Sequence, residues 1–276
     1  MFRKVMAALV SCAAAAALFT SCGKQITVDE EKENSSSSSS SSTAKKSGIA
    51  NFTAPEQGDQ IIEMTIKDYG TVTFRLFPEY AEKGVENFVA LAQSGYYDGL
   101  IFHRIIKDFM IQGGDPTGTG MGGESTWGGS FDGGADEHLI NCAGALVYAN
   151  SGSTATDGSQ FYIVTGTVAT DEDFDFYAQN GLTFTDEAKQ IYETAGGAPW
   201  LDGDYTVFGQ VIDGLDVVFE VQNVETNESA KPLTDVVMES VKVGTYDGSE
   251  IKWYITDYTG STDDDAESGE TAPAQE

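Results

Sequence analysis

The strongest constraint in this sequence is a period of two. Ile62, Met64 and Ile66 alternate with polar neighbours, Asp68-Tyr69-Gly70 interrupts the run, and Val72, Phe74 and Leu76 resume it. Successive side chains of a strand point to opposite faces, so each run lines one apolar face and the pair reads as a hairpin. After Pro78 the period changes. Val85, Phe88, Val89 and Ala92 fall at helical spacing, and Gly95 stands where that helix would stop. Strand candidates follow at 101–105, 109–112, 145–148, 161–164 and 207–211. A second helix is expected at 215–221, with Leu215, Val218 and Phe219 on one face, and a last strand at 236–243. About eight strands and two separated helices predict a mainly β domain. Closing an antiparallel sheet into a barrel removes its edges and lets helices cover the open ends; the periodicity itself allows a sandwich equally.

The two ends lie outside this pattern. Arg3 and Lys4 precede a short Ala-rich apolar run from Val5 to Leu18, the layout of a secretory signal and too short to span a bilayer comfortably. Leu18-Phe19-Thr20-Ser21-Cys22 resembles a bacterial lipoprotein cleavage box, with Phe19 where the usual Leu would stand. That resemblance implies removal of residues 1–21 and lipidation of Cys22, hence an anchor on the outer face of the cytoplasmic membrane. Residues 22–59 contain an unbroken serine run, Ser35 to Ser42, and are expected to form a flexible tether. Random-coil scaling gives residues 23–59 an r.m.s. span of about 30–37 Å. The segment 60–259 holds the domain, and 260–276, with Asp263-Asp264-Asp265, reads as a disordered acidic tail.

Composition removes several function classes. Fifteen Lys and Arg stand against 44 Asp and Glu, a net charge of −29. Nucleic-acid binding needs clustered cations to neutralise phosphates, and docking on anionic lipid needs the same, so neither is expected. Cysteines at 12, 22 and 142 cannot build a disulfide framework, and Cys142 beside Ala143 reads as a small buried hydrophobe. With only His103 and His138 there is little material for a zinc site or a triad, and no metal or cofactor is expected. Gly118-Thr119-Gly120-Met121-Gly122-Gly123 lacks the Lys-Ser/Thr of a phosphate loop and reads as an irregular surface loop. Ser159 sits in Gly-Ser-Gln-Phe, which is no nucleophile elbow, so a hydrolase is a poor reading.

A set of motifs in order carries a family resemblance. Phe102-His103-Arg104-Ile105-Ile106 runs on to Phe109-Met110-Ile111-Gln112-Gly113-Gly114-Asp115. Val85-Glu86-Asn87-Phe88 and Gly95-Tyr96-Tyr97-Asp98-Gly99 come before it. Ala149-Asn150, Gly158-Ser159-Gln160-Phe161-Tyr162-Ile163, Trp200-Leu201-Asp202-Gly203 and Val207-Phe208-Gly209 come after. Together they resemble the cyclophilins, the cyclosporin-binding peptidyl-prolyl isomerases, over residues 60–246. The resemblance implies a closed eight-stranded antiparallel barrel capped by two helices, clients that contain proline, and cyclosporin as a candidate ligand.

The chemistry it implies is modest in its needs. Rotation about a peptide bond faces a barrier of about 18–20 kcal/mol, and an X–Pro bond turns over in tens to hundreds of seconds. A ten-thousandfold acceleration lowers the barrier by about 5.5 kcal/mol. No bond is made or broken, so neither nucleophile nor metal is required. The twisted amide loses resonance and its prolyl nitrogen gains a lone pair, which a fixed hydrogen-bonding cation over an apolar wall would favour. By resemblance Arg104 is that cation. Phe109, Met110, Tyr162 and Leu201 form the proline pocket and Trp200 its wall. Gln112 reaches the substrate backbone, Gln160 holds the arginine side of the cleft, and Ala149 and Asn150 offer backbone groups to an extended peptide. Tyr205 stands near the cleft, and His103 is a supporting residue, since no proton moves.

The sequence departs from the family in four places. Tyr162 replaces a usual Phe and brings a hydroxyl that needs a partner. Tyr205 stands where His is common, and Tyr148 where Met is common; these departures bear on drug affinity and substrate preference. Residues 166–199 are far longer than the short link of minimal cyclophilins and predict an inserted helical lobe at the cleft entrance. Thr185 would cap a helix there, with Ala188, Ile191 and Tyr192 inward and Gly196-Gly197 as its stop. Asp171, Glu172, Asp173 and Asp175 lack the glycine and terminal Glu of a calcium loop and read as a solvated acidic loop. The reading is an exported, membrane-tethered prolyl isomerase acting on envelope or secreted proteins; its rival is a non-catalytic module that grips proline-containing peptides in the cell envelope.

Overall fold

The computed structural model describes residues 48–251. The signal segment, Cys22, the serine run and the acidic tail lie outside the described residues. The hairpin forms as the alternation requires. β1 (Gln60–Ile66) pairs antiparallel with β2 (Gly70–Leu76) from Ile61↔Arg75 to Ile66↔Gly70, and Asp68 takes φ 68° in the turn. Asp reaches this left-handed region at lower cost than most side chains.

α1 (Glu82–Gln93) begins four residues after Pro78, since Tyr80 and Ala81 first close a turn on the Phe77 carbonyl. Val85, Phe88, Leu91 and Ala92 make its buried face, and Gly95 at φ 73° ends it. The remaining strands are β3 (Arg104–Ile106), β4 (Met110–Gly113), β5 (Ala145–Tyr148), β6 (Phe161–Val164), β7 (Val207–Asp213) and β8 (Met238–Thr245). Their spatial order is β3-β4-β6-β5-β7-β2-β1-β8, antiparallel throughout.

The expected closed barrel needs correction. The sheet curls but remains open, because no ladder joins its edge strands β3 and β8. The strand anticipated at 101–105 is broken: β3 starts only at Arg104, and the chain before it meets the opposite edge through the single bridge Ile101↔Val237 and flanking hydrogen bonds such as Phe102 N–H to the Val236 carbonyl.

Alternation gives the sheet two apolar faces. Ile62, Met64, Val72, Phe74, Ile111, Leu146, Tyr148, Phe161, Ile163 and Phe208 point to the concave core, covered by α1 and by α4 (Leu215–Val221). Met110, Ala145, Val147, Tyr162, Val164 and Val207 point outward into a second cluster. With both faces covered, β5 and β6 are buried along their whole length and read as apolar runs.

The inserted lobe at 166–199 contains two helices. α3 (Asp186–Ala195) is capped by Thr185, whose hydroxyl accepts the Ala188 N–H; Ala188, Ile191 and Tyr192 are buried, and Gly196 at φ 78° ends the helix. The acidic run is the first turn of α2 (Asp171–Gln179) instead of a loop. Thr170 and Asp173 form a reciprocal capping box, and acids there face the positive helix end. The last residues assigned to the tether are also docked. Ala50 and Asn51 are buried, the Ala50 N–H donates to the His138 carbonyl, and the Asn51 amide bonds to Ile140 N–H, the Ile140 carbonyl and Gln210.

Candidate active site

β3 and β4 place Arg104 opposite Gln112, and the next pairing places Gln112 opposite Tyr162 on β6. These residues share the outward face by strand parity alone. Arg104 is half-buried and donates to Gln112 Oε1 at 3.2 Å. Gln112 Nε2 donates to Gln160 Oε1 at 3.0 Å. Gln160 Nε2 in turn donates to the carbonyls of Gly120 (3.2 Å) and Gly122 (2.8 Å). Every hydrogen in this row is oriented by the guanidinium at its head, which can only donate. Burial lowers the Arg104 pKa while nearby Tyr205 raises it, and arginine stays charged throughout the accessible pH range.

The glycine-rich loop that ends this row is ordered by Asp115. Its carboxylate accepts the N–H groups of Thr117 (2.7 Å), Thr119 (3.0 Å), Gly120 (2.6 Å) and Met121 (3.1 Å), together with the Thr117 hydroxyl. Burial alone would raise this carboxyl; the hydrogen bonds of Thr117, Gly122 and Gly120 overturn that and hold it well below the usual carboxylate range. The loop is therefore irregular but not loose. In the sequence Asp115 ends the Gln112-Gly113-Gly114-Asp115 motif with no local sign of this role.

Beside Arg104 lies the outer apolar cluster. Met110, Tyr162 and Leu201 are buried in the outer cluster, with Phe109, Ala149, Trp200 and Tyr205 packed partly buried against it. Phe109 and Trp200 lie 5.7 Å apart between ring centroids, and Tyr205 meets Tyr162 edge-on at 5.9 Å. Trp200 and Leu201 sit on a 3-10 turn, Pro199–Leu201, immediately after the inserted lobe. The hydroxyl of Tyr162 has found its partner: it donates to Asn141 Oδ1 at 3.0 Å.

Two of the expected residues are also held by the scaffold. The Ala149 N–H is taken by the Gln160 carbonyl at 3.0 Å, so that amide already continues the β5–β6 ladder and is spent before a peptide arrives. Asn150 donates its side-chain amide to the Asp204 carbonyl and accepts the Gly152 N–H. Tyr148 faces the concave core, stacked on Phe208 and bonded to the Gly84 carbonyl and Asn87, because it shares parity with Leu146. His103 is buried with neither ring nitrogen hydrogen-bonded among the described residues; burial lowers its pKa, Asp115 opposing that and Arg104 adding to it.

The family model "Cyclophilin type peptidyl-prolyl cis-trans isomerase/CLD" matches residues 61–243. The chain belongs to the cyclophilin-type peptidyl-prolyl cis-trans isomerases. It is thus an enzyme of that class. A Staphylococcus aureus (strain USA300) protein named as a peptidyl-prolyl cis-trans isomerase is 49% identical over 174 residues, 63% of this chain and 87% of the relative. Its counterpart in Staphylococcus haemolyticus (strain JCSC1435) is 47% identical over 174 residues, 63% and 86% of the two chains. A crystal structure of a Cryptosporidium parvum cyclophilin-type isomerase, obtained in the presence of the dipeptide Ala-Pro, is similar to this isomerase with a TM-score of 0.54 and 33% identity, covering 67% of this chain and 99% of that one.

Proposed function

We propose that this isomerase turns X–Pro bonds of exported or envelope proteins, with Arg104 stabilising the twisted amide above a proline pocket of Phe109, Met110, Tyr162 and Leu201. The observation that carries this reading is the row Arg104–Gln112–Gln160 running beside the outer apolar cluster, with Gln112 paired to Tyr162. Gln112 takes one guanidinium nitrogen of Arg104 and so fixes the fork, leaving donors free to meet the carbonyl and nitrogen of a prolyl amide. Those apolar side chains exclude water from one side of that amide, which strengthens the contact and suits a twisted bond of reduced polarity. The relative crystallised with Ala-Pro supports a proline-containing client, and the same surface would take cyclosporin.

Arg104→Ala should lose at least about 100-fold in kcat/KM on a proline tetrapeptide, the scale of one preorganised charge-stabilising donor. Its thermal transition should stay within a few degrees. A variant that retains wild-type turnover would sink the mechanism. The lipidated Cys22 and the placement on the outer face of the cytoplasmic membrane rest on the leader sequence. Mass spectrometry of the membrane-extracted protein should find an acylated N-terminus at Cys22; an unmodified N-terminus elsewhere overturns the anchor.

A further inference from the structure

The inserted lobe lies in sequence between the strand that carries Tyr162 and the turn that carries Trp200 and Leu201. It is joined to the pocket by two independent routes. The first is polar and buried. The Tyr192 hydroxyl on α3 donates to both carboxylate oxygens of Asp202, each at 2.7 Å. Asp202 Oδ1 also accepts the backbone N–H of Asn141 (2.8 Å) and its side-chain Nδ2 (3.0 Å). A carboxylate can only accept, so it forces the Asn141 amide to turn its nitrogen toward Asp202 and its oxygen toward Tyr162. The Tyr162 hydroxyl then has one acceptor to point at, 3.0 Å away.

The second route is aromatic. Tyr177 on α2 lies 6.2 Å from Trp200, which lies 5.7 Å from Phe109. The lobe is also sewn to the Asn141 segment by backbone: Ala198 N–H donates to the Asn141 carbonyl, Ala143 N–H donates to the Gly196 carbonyl, and Cys142 bridges Gly197.

We propose that the inserted lobe sets the shape of the proline pocket, with Tyr192 acting through Asp202 and Asn141 as a positioning residue for Tyr162. The proposal rests on the reading that Tyr162 and its neighbours hold the proline ring, and it adds a determinant of substrate affinity outside that pocket. Tyr192 touches no substrate. Its effect is to hold the Tyr162 ring in one position, so its loss should weaken binding while leaving the Arg104 row untouched.

The test compares the full chain with Tyr192→Phe, Tyr162→Phe and the double variant on a chromogenic proline tetrapeptide, with thermal transitions measured alongside. Tyr192→Phe should raise KM about 3- to 10-fold, the scale of one net hydrogen bond, with kcat within twofold. The double variant should be no worse than Tyr162→Phe, because the proposed path from position 192 through Asp202 and Asn141 ends at that hydroxyl. Multiplying effects on KM would overturn the proposal, as would a lowered thermal transition with KM unmoved. If the wild type shows no turnover at all, the isomerase mechanism fails. The lobe proposal is then judged by the same comparisons on the calorimetric Kd of that peptide.

Discussion

Replacing Asp115 by Asn tests whether a single buried carboxylate organises the loop on which the arginine row depends. Asn keeps the shape but exchanges one acceptor oxygen for a donating amide. The Asp115 oxygens face the backbone N–H groups of Thr117, Thr119, Gly120 and Met121 and the Thr117 hydroxyl, so at least one donor is left against another donor. An unsatisfied buried donor costs about 1–3 kcal/mol, and a hydrogen bond to a charge is worth about 1.5–3 kcal/mol. A loss of about 2–4 kcal/mol follows, or roughly 4–16 °C in Tm at about 2–4 °C per kcal/mol for a domain of this size. The pH dependence gives a second check. The carboxyl is held well below its unfolded range. Its contribution is therefore present above the unfolded value near pH 4, and it is lost as pH falls from there toward the folded value. Urea unfolding of wild type and Asp115→Asn at pH 7 and pH 2.5 should show a gap that narrows at the lower pH. A gap of equal size at both, or none at pH 7, would refute the reasoning. Because Gly120 and Gly122 carry Gln160, kcat/KM should also fall severalfold.

Asp157 has the opposite sign. It is fully buried; burial, with Asp132 adding to it, pushes its carboxyl up to about 7 against the hydrogen bonds of Thr206 and Asn150. The folded state therefore holds a proton that the unfolded state has released between about pH 4 and 7, and stability falls as pH rises through that window. Asp157→Asn should flatten that slope in denaturant midpoints taken at pH 5 and pH 8; an unchanged slope would assign it to other groups, Asp202 first among them. At Gly114, φ is 85° and an added Cβ would run into the Ser159 carbonyl and come within 3.0 Å of the Phe161 ring. Gly114→Ala should cost about 2–4 kcal/mol by unfolding, from left-handed strain and overpacking together; wild-type stability would show that the turn can relax.

Much of this molecule is legible in its sequence where one residue's neighbours along the chain decide its place. The β1–β2 hairpin follows from Ile62, Met64, Val72 and Phe74, and α3 from Thr185 and Gly196. Parity also tells that Gln112 and Tyr162 share a face and that Tyr148 follows Leu146 into the core. The helical start at Thr170 was visible as a Thr followed three residues later by Asp. What escapes is decided across distance. Closure of the sheet depends on whether two irregular stretches, near Ile101 and Val237, meet as a ladder or at a point. Asn51 looks like linker because nothing in its composition announces three buried hydrogen bonds to Ile140 and Gln210. Asn141 and Asp202 likewise carry no local signal; only the fold makes them the partners of Tyr162 and Tyr192.

The pairing of β1 with β8 has a consequence for how the chain comes into being. Gln60 faces Thr245, so the first strand receives its second neighbour only when nearly the whole domain has been delivered. Contacts of such span are slow to form, since a long loop must close before any bond rewards it. A ribosome that releases this chain N-terminus first leaves Ile61 to Ile66 as a bare edge able to recruit other strands. A nascent fragment cut short before Met238 would keep that edge permanently. This catalyst of other proteins' slow steps carries a slow step of its own, written into its strand order.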